Sequence, residues 1–175
     1  MKKLLILLML SFSFCVFHGN EVNAGEISSI NKVGAWNTWQ SQDEMDDTVY
    51  FLVSTRSKSS LDTGYDIMHP ILGFVGVKGE AYVMCNISKM PWLGAQDDVE
   101  VTYRLDKNKP QKSRWRTDKT SAYHKDAKQF ANELYGHKTL LVRIPSKDGA
   151  VYTIKFDIAG TKEALNDIAT AAGWK

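Results

Sequence analysis

The sequence predicts an α+β domain, an antiparallel β-sheet or two-sheet sandwich carrying two helices, the second of them at the C-terminus. Three stretches predict it. Residues 99–105 place Val99, Val101, Tyr103 and Leu105 on one side and Glu100, Thr102 and Arg104 on the other, the period of two of a half-buried strand. Residues 71–77 and 81–86 are apolar runs on either side of Lys78-Gly79, a hairpin signal. Residues 140–174 read as strand, turn, strand and a short helix, and a hairpin with an amphipathic helix needs a larger sheet to bury against.

In chain order, residues 1–24 form an export signal. Lys2 and Lys3 precede an apolar run over residues 4–16, and Val22-Asn23-Ala24 offers a small-residue cleavage site. The run is too short, and too soon polar, for a membrane span. Cleavage leaves one domain at residues 25–175, long enough to bury a core. Residues 25–40 are a mixed lead-in whose Trp36 and Trp39 read as packing residues. Residues 41–47 make an acidic loop in which Asp43, Glu44, Asp46 and Asp47 lack the spacing of a calcium site. Residues 48–55 read as a buried strand, residues 56–68 as a polar connection, and residues 90–96, with Pro91 and Trp92, as a loop. After the strand at 99–105, residues 106–110 turn the chain and residues 112–117 run back as a short edge strand. Residues 121–135 read as a helix with Tyr123, Ala127, Phe130, Ala131 and Leu134 on one face, stopped by Gly136. In the C-terminal unit Leu140, Val142 and Ile144 oppose Leu141 and Arg143, while Tyr152, Ile154, Phe156 and Ile158 oppose Thr153, Lys155 and Asp157. Residues 146–149 form the turn between them. Thr161 caps a final helix with Ala164, Leu165, Ile168, Ala169 and Ala172 in one stripe, and Gly173 ends it.

Composition narrows the function. The chain carries 22 basic and 20 acidic residues, a formal charge of +2. Loss of Lys2, Lys3 and Glu21 with the signal leaves it one unit above neutral, too little to draw nucleic acid or a membrane strongly. Only Cys85 survives cleavage, so no intramolecular disulfide forms despite the oxidising destination. It reads as a buried thiol acting as a small hydrophobe, the alternative being a thiol that pairs with another chain. His69, His124 and His137 are isolated in sequence, with no metal-ligand spacing, Gly-rich phosphate loop or nucleophile elbow nearby. The chain therefore reads as a non-enzyme without metal or cofactor; a triad assembled only in space is left to geometry. Asn86-Ile87-Ser88 is formally a glycosylation acceptor, without weight beside a bacterial style of signal. The candidate binding surface is the cluster over residues 112–116. Arg114 and Arg116 share one side of a strand, and Trp115 takes the other, in the core. The two arginines either grip a carboxylate or phosphate bidentately or form a solvated edge that discourages strand pairing. Trp92 is the third candidate contact.

Asp46-Asp47-Thr48, Val101-Thr102-Tyr103-Arg104-Leu105-Asp106, and Phe156-Asp157-Ile158-Ala159-Gly160 running on to Gly173-Trp174 resemble the periplasmic accessory proteins of type VI secretion, the VasI/TagO-like group, which has relatives in phage and other envelope contexts. The motifs span most of residues 25–175 in the order of that family. The resemblance implies an exported, non-enzymatic accessory or interaction domain with an envelope protein as partner. Family members commonly carry a cysteine just before the final Gly-Trp, where this chain has Ala172. If that cysteine pairs with the one matching Cys85, the bridge is lost here.

The function expected is thus a periplasmic accessory domain of the envelope or of type VI secretion machinery. The alternative is an inhibitor or immunity-type protein that blocks an envelope-acting enzyme such as a lysozyme. Two structural expectations accompany it. Arg104 and Asp157, each on the polar side of an apolar strand, are expected to pair with each other or to lie near Asp106. Trp174 is expected to fold back, fully buried, beneath the last helix; its rival role is as an exposed partner contact.

Overall fold

Inward and outward residues alternate along residues 98–105, 111–117, 139–145 and 151–157, and that alternation sorts this part of the chain into an inner and an outer face. The computed structural model describes residues 27–62, 67–87, 98–118, 120–145 and 150–174. In chain order its elements are β1 (Ile27–Val33), β2 (Trp36–Gln42), β3 (Val49–Arg56), β4 (Leu61–Asp62), β5 (Ile67–Met68), β6 (Ile71–Val77), β7 (Glu80–Asn86), β8 (Asp98–Leu105), β9 (Gln111–Thr117), β10 (Ser121–His124), α1 (Ala127–Leu134), β11 (Thr139–Pro145), β12 (Val151–Asp157), α2 (Thr161–Ala164) and α3 (Asn166–Ala171). Ten strands make one sheet in the order β1-β2-β3-β6-β7-β10-β9-β8-β11-β12, and β4 with β5 makes a separate ribbon. The domain is mostly β: one antiparallel sheet with three short helices among the described residues, the last near the C-terminus.

The sheet curls until its last strand meets the chain leaving β3. Ser57 bridges Phe156, the Lys58 amide donates to the Lys155 carbonyl at 3.0 Å, and the Thr55 hydroxyl donates to the Asp157 carbonyl at 3.1 Å. The strands from β3 round to β12 are therefore a nearly closed barrel, which leaves few unpaired edges. The turn between β1 and β2 fastens onto the same seam, the Ala35 amide donating to Ala159 at 3.1 Å.

Several elements differ from the sequence-based expectation. The lead-in at residues 27–42 is the β1–β2 hairpin, with Val33 opposite Trp36. Gly34 supplies the positive φ of +60 that a two-residue hairpin turn needs, so Val33-Gly34-Ala35-Trp36 was a readable signal. The stretch at 112–117 is not an edge: β9 pairs with β8 on one side and β10 on the other. The helix expected over 121–135 is shorter. Residues 121–124 are β10, drawn into the gap between β7 and β9, and α1 starts only after Asp126, whose carboxylate accepts from the Gln129 amide at 2.8 Å. The last helix is two pieces broken at Leu165. Its cap position is Gly160 rather than Thr161, whose hydroxyl turns back to the Ile158 carbonyl at 2.5 Å. The turn at 146–149 and Trp92 lie outside the described residues.

The inner face is closed by aromatic packing. Phe130 of α1 is fully buried and meets Trp115 edge-on at 5.3 Å, Tyr103 edge-on at 5.6 Å, His124 stacked at 4.9 Å and Phe74 stacked at 6.5 Å. Trp36 reaches Phe74 at 5.9 Å. Trp39, on the other side of β2, is half-buried and opposite Leu52 on the outer face. In β6, a side chain at Gly76 would meet Ile168 at 3.0 Å, so the glycine makes room for α3 to lie on the sheet. Cys85 is fully buried and unbridged, and burial pushes its thiol up to about 12. At the end of the chain Gly173, with φ +65, lets the Trp174 amide return to the Ala169 carbonyl at 2.8 Å. Trp174 packs on the core but is half-buried rather than fully buried, lying three residues past the end of α3.

Three substitutions measure these contacts. A Cβ at Gly34 would sit 2.4 Å from the Ala159 carbonyl oxygen, whereas one at Gly79 (φ +76) meets nothing within 4 Å. Gly79→Ala is expected to cost about 1 kcal/mol for its backbone alone, and Gly34→Ala about 3 kcal/mol because the seam must open as well. Paired chemical denaturation curves check the difference. Trp174→Ala is expected to cost about 2 kcal/mol, less than the range of about 3–5 for a fully buried aromatic; equal melting temperatures for variant and parent would show that the tail contributes no packing.

Candidate functional site

The outer face of β9, β8, β11 and β12 gathers the charge. Even-numbered residues of β8 and β9 and odd-numbered residues of β11 and β12 point outward, because Val101, Tyr103, Trp115, Val142, Ile154 and their neighbours take the core. Cross-strand register then sets the rows. Arg116 lies opposite Asp98, Arg114 opposite Glu100, and Lys112 opposite Thr102. Thr102 is opposite Arg143, which is opposite Thr153; Arg104 is opposite Leu141, which is opposite Lys155. One face therefore carries Arg104, Lys112, Arg114, Arg116, Arg143 and Lys155; Asp157 closes it at the end of β12, and two further carboxylates, Asp98 and Glu100, stand on β8.

Both carboxylates are already engaged. Glu100 accepts from Lys112 at 2.7 Å and Asp98 from Lys125, on the loop after β10, at 2.8 Å. The Lys125 bond, seconded by Arg116 and Arg114, holds the Asp98 carboxyl below its usual value. No ion pair among the described residues neutralises Arg104, Arg114, Arg116, Arg143 or Lys155. The Nε of Arg104 is buried and has no hydrogen-bond partner among the described residues. Arg114 and Arg116 are exposed, and Trp115 between them is fully buried on the inner face. Arg143 and Lys155 were legible as outward residues of their strands; their place beside Arg104 follows only from the pairing of β8, β11 and β12.

The ion pair expected between Arg104 and Asp157 does not form. Arg104 is level with Lys155, two strands away, while Asp157 is one inward-outward repeat further along β12. Asp157 pairs instead with Lys58 at 2.9 Å and accepts from the Ala159 amide at 3.1 Å. Burial raises its carboxyl, but those bonds outweigh it and leave it below the usual value. Asp106 is also taken elsewhere. Held at φ +48, it accepts from His137 at 2.8 Å and from the Lys138 and Thr139 amides at 3.1 and 2.9 Å, tying the end of β8 to the start of β11.

None of the three histidines brings a hydroxyl or thiol and a carboxylate together among the described residues. His124 Nε2 is 3.2 Å from the Ser113 hydroxyl, but its Nδ1 is 2.8 Å from the Asp126 backbone carbonyl, and the Asp126 carboxylate caps α1. His137 has the Asp106 carboxylate. His69 Nδ1 contacts the Ser57 carbonyl at 3.2 Å. No group of three or more metal-ligating side chains stands together among the described residues, and the acidic loop spends its carboxylates on local turns, Asp43 on the Met45 amide and Asp46 on the Thr48 amide. No described helix is long and apolar enough to cross a membrane.

Fold and surface thus define a class: a curled, nearly closed antiparallel sheet with a helix over its core and a basic outer face. No protein-family model matches the chain, and no curated protein matches it in sequence. Among solved structures it is similar to invasion associated protein B from Bartonella henselae, with a TM-score of 0.56 and 10% identity over 82% of this chain and 97% of that one. At that identity the likeness is one of fold.

The Asp106 contact yields a pH prediction. His137 foremost, and the two amides, hold the Asp106 carboxyl below its usual value against the opposing effect of burial. A depressed folded value means stability that is full above the unfolded value near 3.9 and is lost as pH falls through the folded one. Asp106 is 37% exposed, so its loss is expected to cost only about 1 kcal/mol. Asp106→Asn should therefore melt lower than the parent at pH 7, and the gap should shrink below about pH 4, as followed by circular dichroism.

Proposed function

We propose that this chain is an exported, non-catalytic interaction domain of the bacterial envelope, of the kind that serves type VI secretion machinery as a periplasmic accessory. The observation that carries the reading is the outer face of β9, β8, β11 and β12, where five cations make no ion pair among the described residues. None of the five lies directly opposite another, but all are gathered on one face. A fold that keeps them together, on a chain of net charge only +2, has a surface suited to an anionic partner. The export signal read at residues 1–24 places that partner in the envelope. The histidine geometry supports the non-catalytic part, since each ring is spent on a structural bond.

The test is affinity capture from envelope extract with the parent chain and with Arg114→Glu/Arg116→Glu. The parent is expected to retain an envelope component that the double variant loses by tenfold or more, at unchanged melting temperature. Capture of an enzyme in a stoichiometric complex that lowers its activity would replace the accessory reading with the inhibitor one. Covalent labelling of Ser113 by a fluorophosphonate, abolished by His124→Ala, would overturn the non-catalytic reading.

A further inference from the structure

We infer that the basic outer face docks on a phosphate-bearing lipid surface; this rests on the interaction-domain reading and names the partner of that same face. The argument begins with extent. The cations lie on four adjacent strands, spanning ~14 Å across the sheet and, from the row of Arg116 to the row of Arg104, ~20 Å along it. A single small oxyanion would touch one corner of such an array. Many anionic groups presented side by side would touch all of it.

Composition then separates a lipid surface from a protein. Stable protein interfaces are built around an apolar and aromatic centre with charge at the rim. Here the arrangement is reversed: the middle rows hold Glu100 and Arg114, then Lys112, Thr102 and Arg143, and the large apolar side chains are Leu141, half-buried in the end row between Arg104 and Lys155, and Val151 at the margin beside Pro145. A layer of anionic headgroups requires only a broad set of cations at one level, each attracted independently. Guanidinium groups suit phosphate in particular, because their paired N–H donors match two of its oxygens. Arg104 is already part of the way there, with its Nε withdrawn from water and bonded to no group among the described residues, a state that costs free energy until an acceptor arrives. The three carboxylates on the face do not oppose docking, since Lys112, Lys125 and Lys58 pair with Glu100, Asp98 and Asp157. The near-neutral net charge of the whole chain hides this concentration.

The test is sedimentation of the purified chain with vesicles of phosphatidylglycerol mixed into phosphatidylcholine, and with vesicles of phosphatidylcholine alone. Binding is expected to the first and not the second, and to fade between roughly 0.1 and 0.5 M salt as screening shortens. Each cation removed should lower partitioning about fivefold, so Arg104→Gln/Arg143→Gln/Lys155→Gln should bind about 100-fold less, while Lys162→Gln, on α2 and away from the face, should bind like the parent. If the triple variant does not fold, Arg114→Gln/Arg116→Gln with unchanged melting temperature provides the same readout at about 25-fold. Equal binding to both vesicle types, or undiminished binding by the folded variants, overturns the inference. If vesicles are ignored while Arg114→Glu/Arg116→Glu still loses a captured envelope protein, lipid docking falls and the interaction reading stands. If both assays are negative, both fall.

Discussion

Phe130 is the residue on which the rest of the structure depends. A curled sheet of this size has an inner face that side chains alone do not fill, and α1 lowers one ring onto it. That ring meets Phe74 of β6 and Tyr103, Trp115 and His124 of the adjacent strands β8, β9 and β10. Edge-on and stacked aromatic contacts of this kind add to the burial of area itself, and they act between elements far apart in sequence. Phe130 also explains why residues 121–124 are strand. His124 can stack on Phe130 only if β10 occupies the gap between β7 and β9, and the chain must then turn sharply, at the Asp126 cap, to bring the helix back over the core.

Inner packing determines what the outer face can be. Because the strands have a period of two, committing Trp115 to Phe130 commits Arg114 and Arg116 to solvent. Committing Tyr103 and Val142 does the same for Arg104 and Arg143. The basic face is thus a consequence of core register, held rigid by hydrogen-bonded neighbours on both sides of β9, β8 and β11. Had β9 been an edge, its arginines would have served as a guard against strand pairing. In the interior of a sheet that role is void, and the charge needs another reason.

The seam gives the molecule its second constraint. Gly34 and Gly160 approach backbone to backbone, a Cβ at Gly160 lying 3.3 Å from the Gly34 Cα, and the bridge from Ser57 to Phe156 lies along the same line. Lys58 and Asp157 pair across it. That pairing engages Asp157, at the end of the basic face, with a cation from outside it.

The sequence by itself determined the local terms: the strands read at 48–55, 71–77, 81–86 and 99–105 and the two of the C-terminal hairpin, each to within a residue or so of its observed ends, the Lys78-Gly79 turn, the acidic loop, the stop at Gly173, and which side chains on each strand are apolar. Those follow from a period that each segment carries within itself. It did not determine neighbours. Whether residues 111–117 are an edge or an interior strand, whether residues 121–124 coil or extend, and whether Arg104 faces Asp157 or Lys155 depend on which strands pair and in what register, and pairing is settled by closure of the whole sheet around Phe130. The candidate site shows the same division. Arg114 and Arg116 were visible because they are two residues apart; Arg104, Arg143 and Lys155 joined them only when three strands distant in sequence were laid side by side, since a surface charge carries no local signal of what will stand next to it.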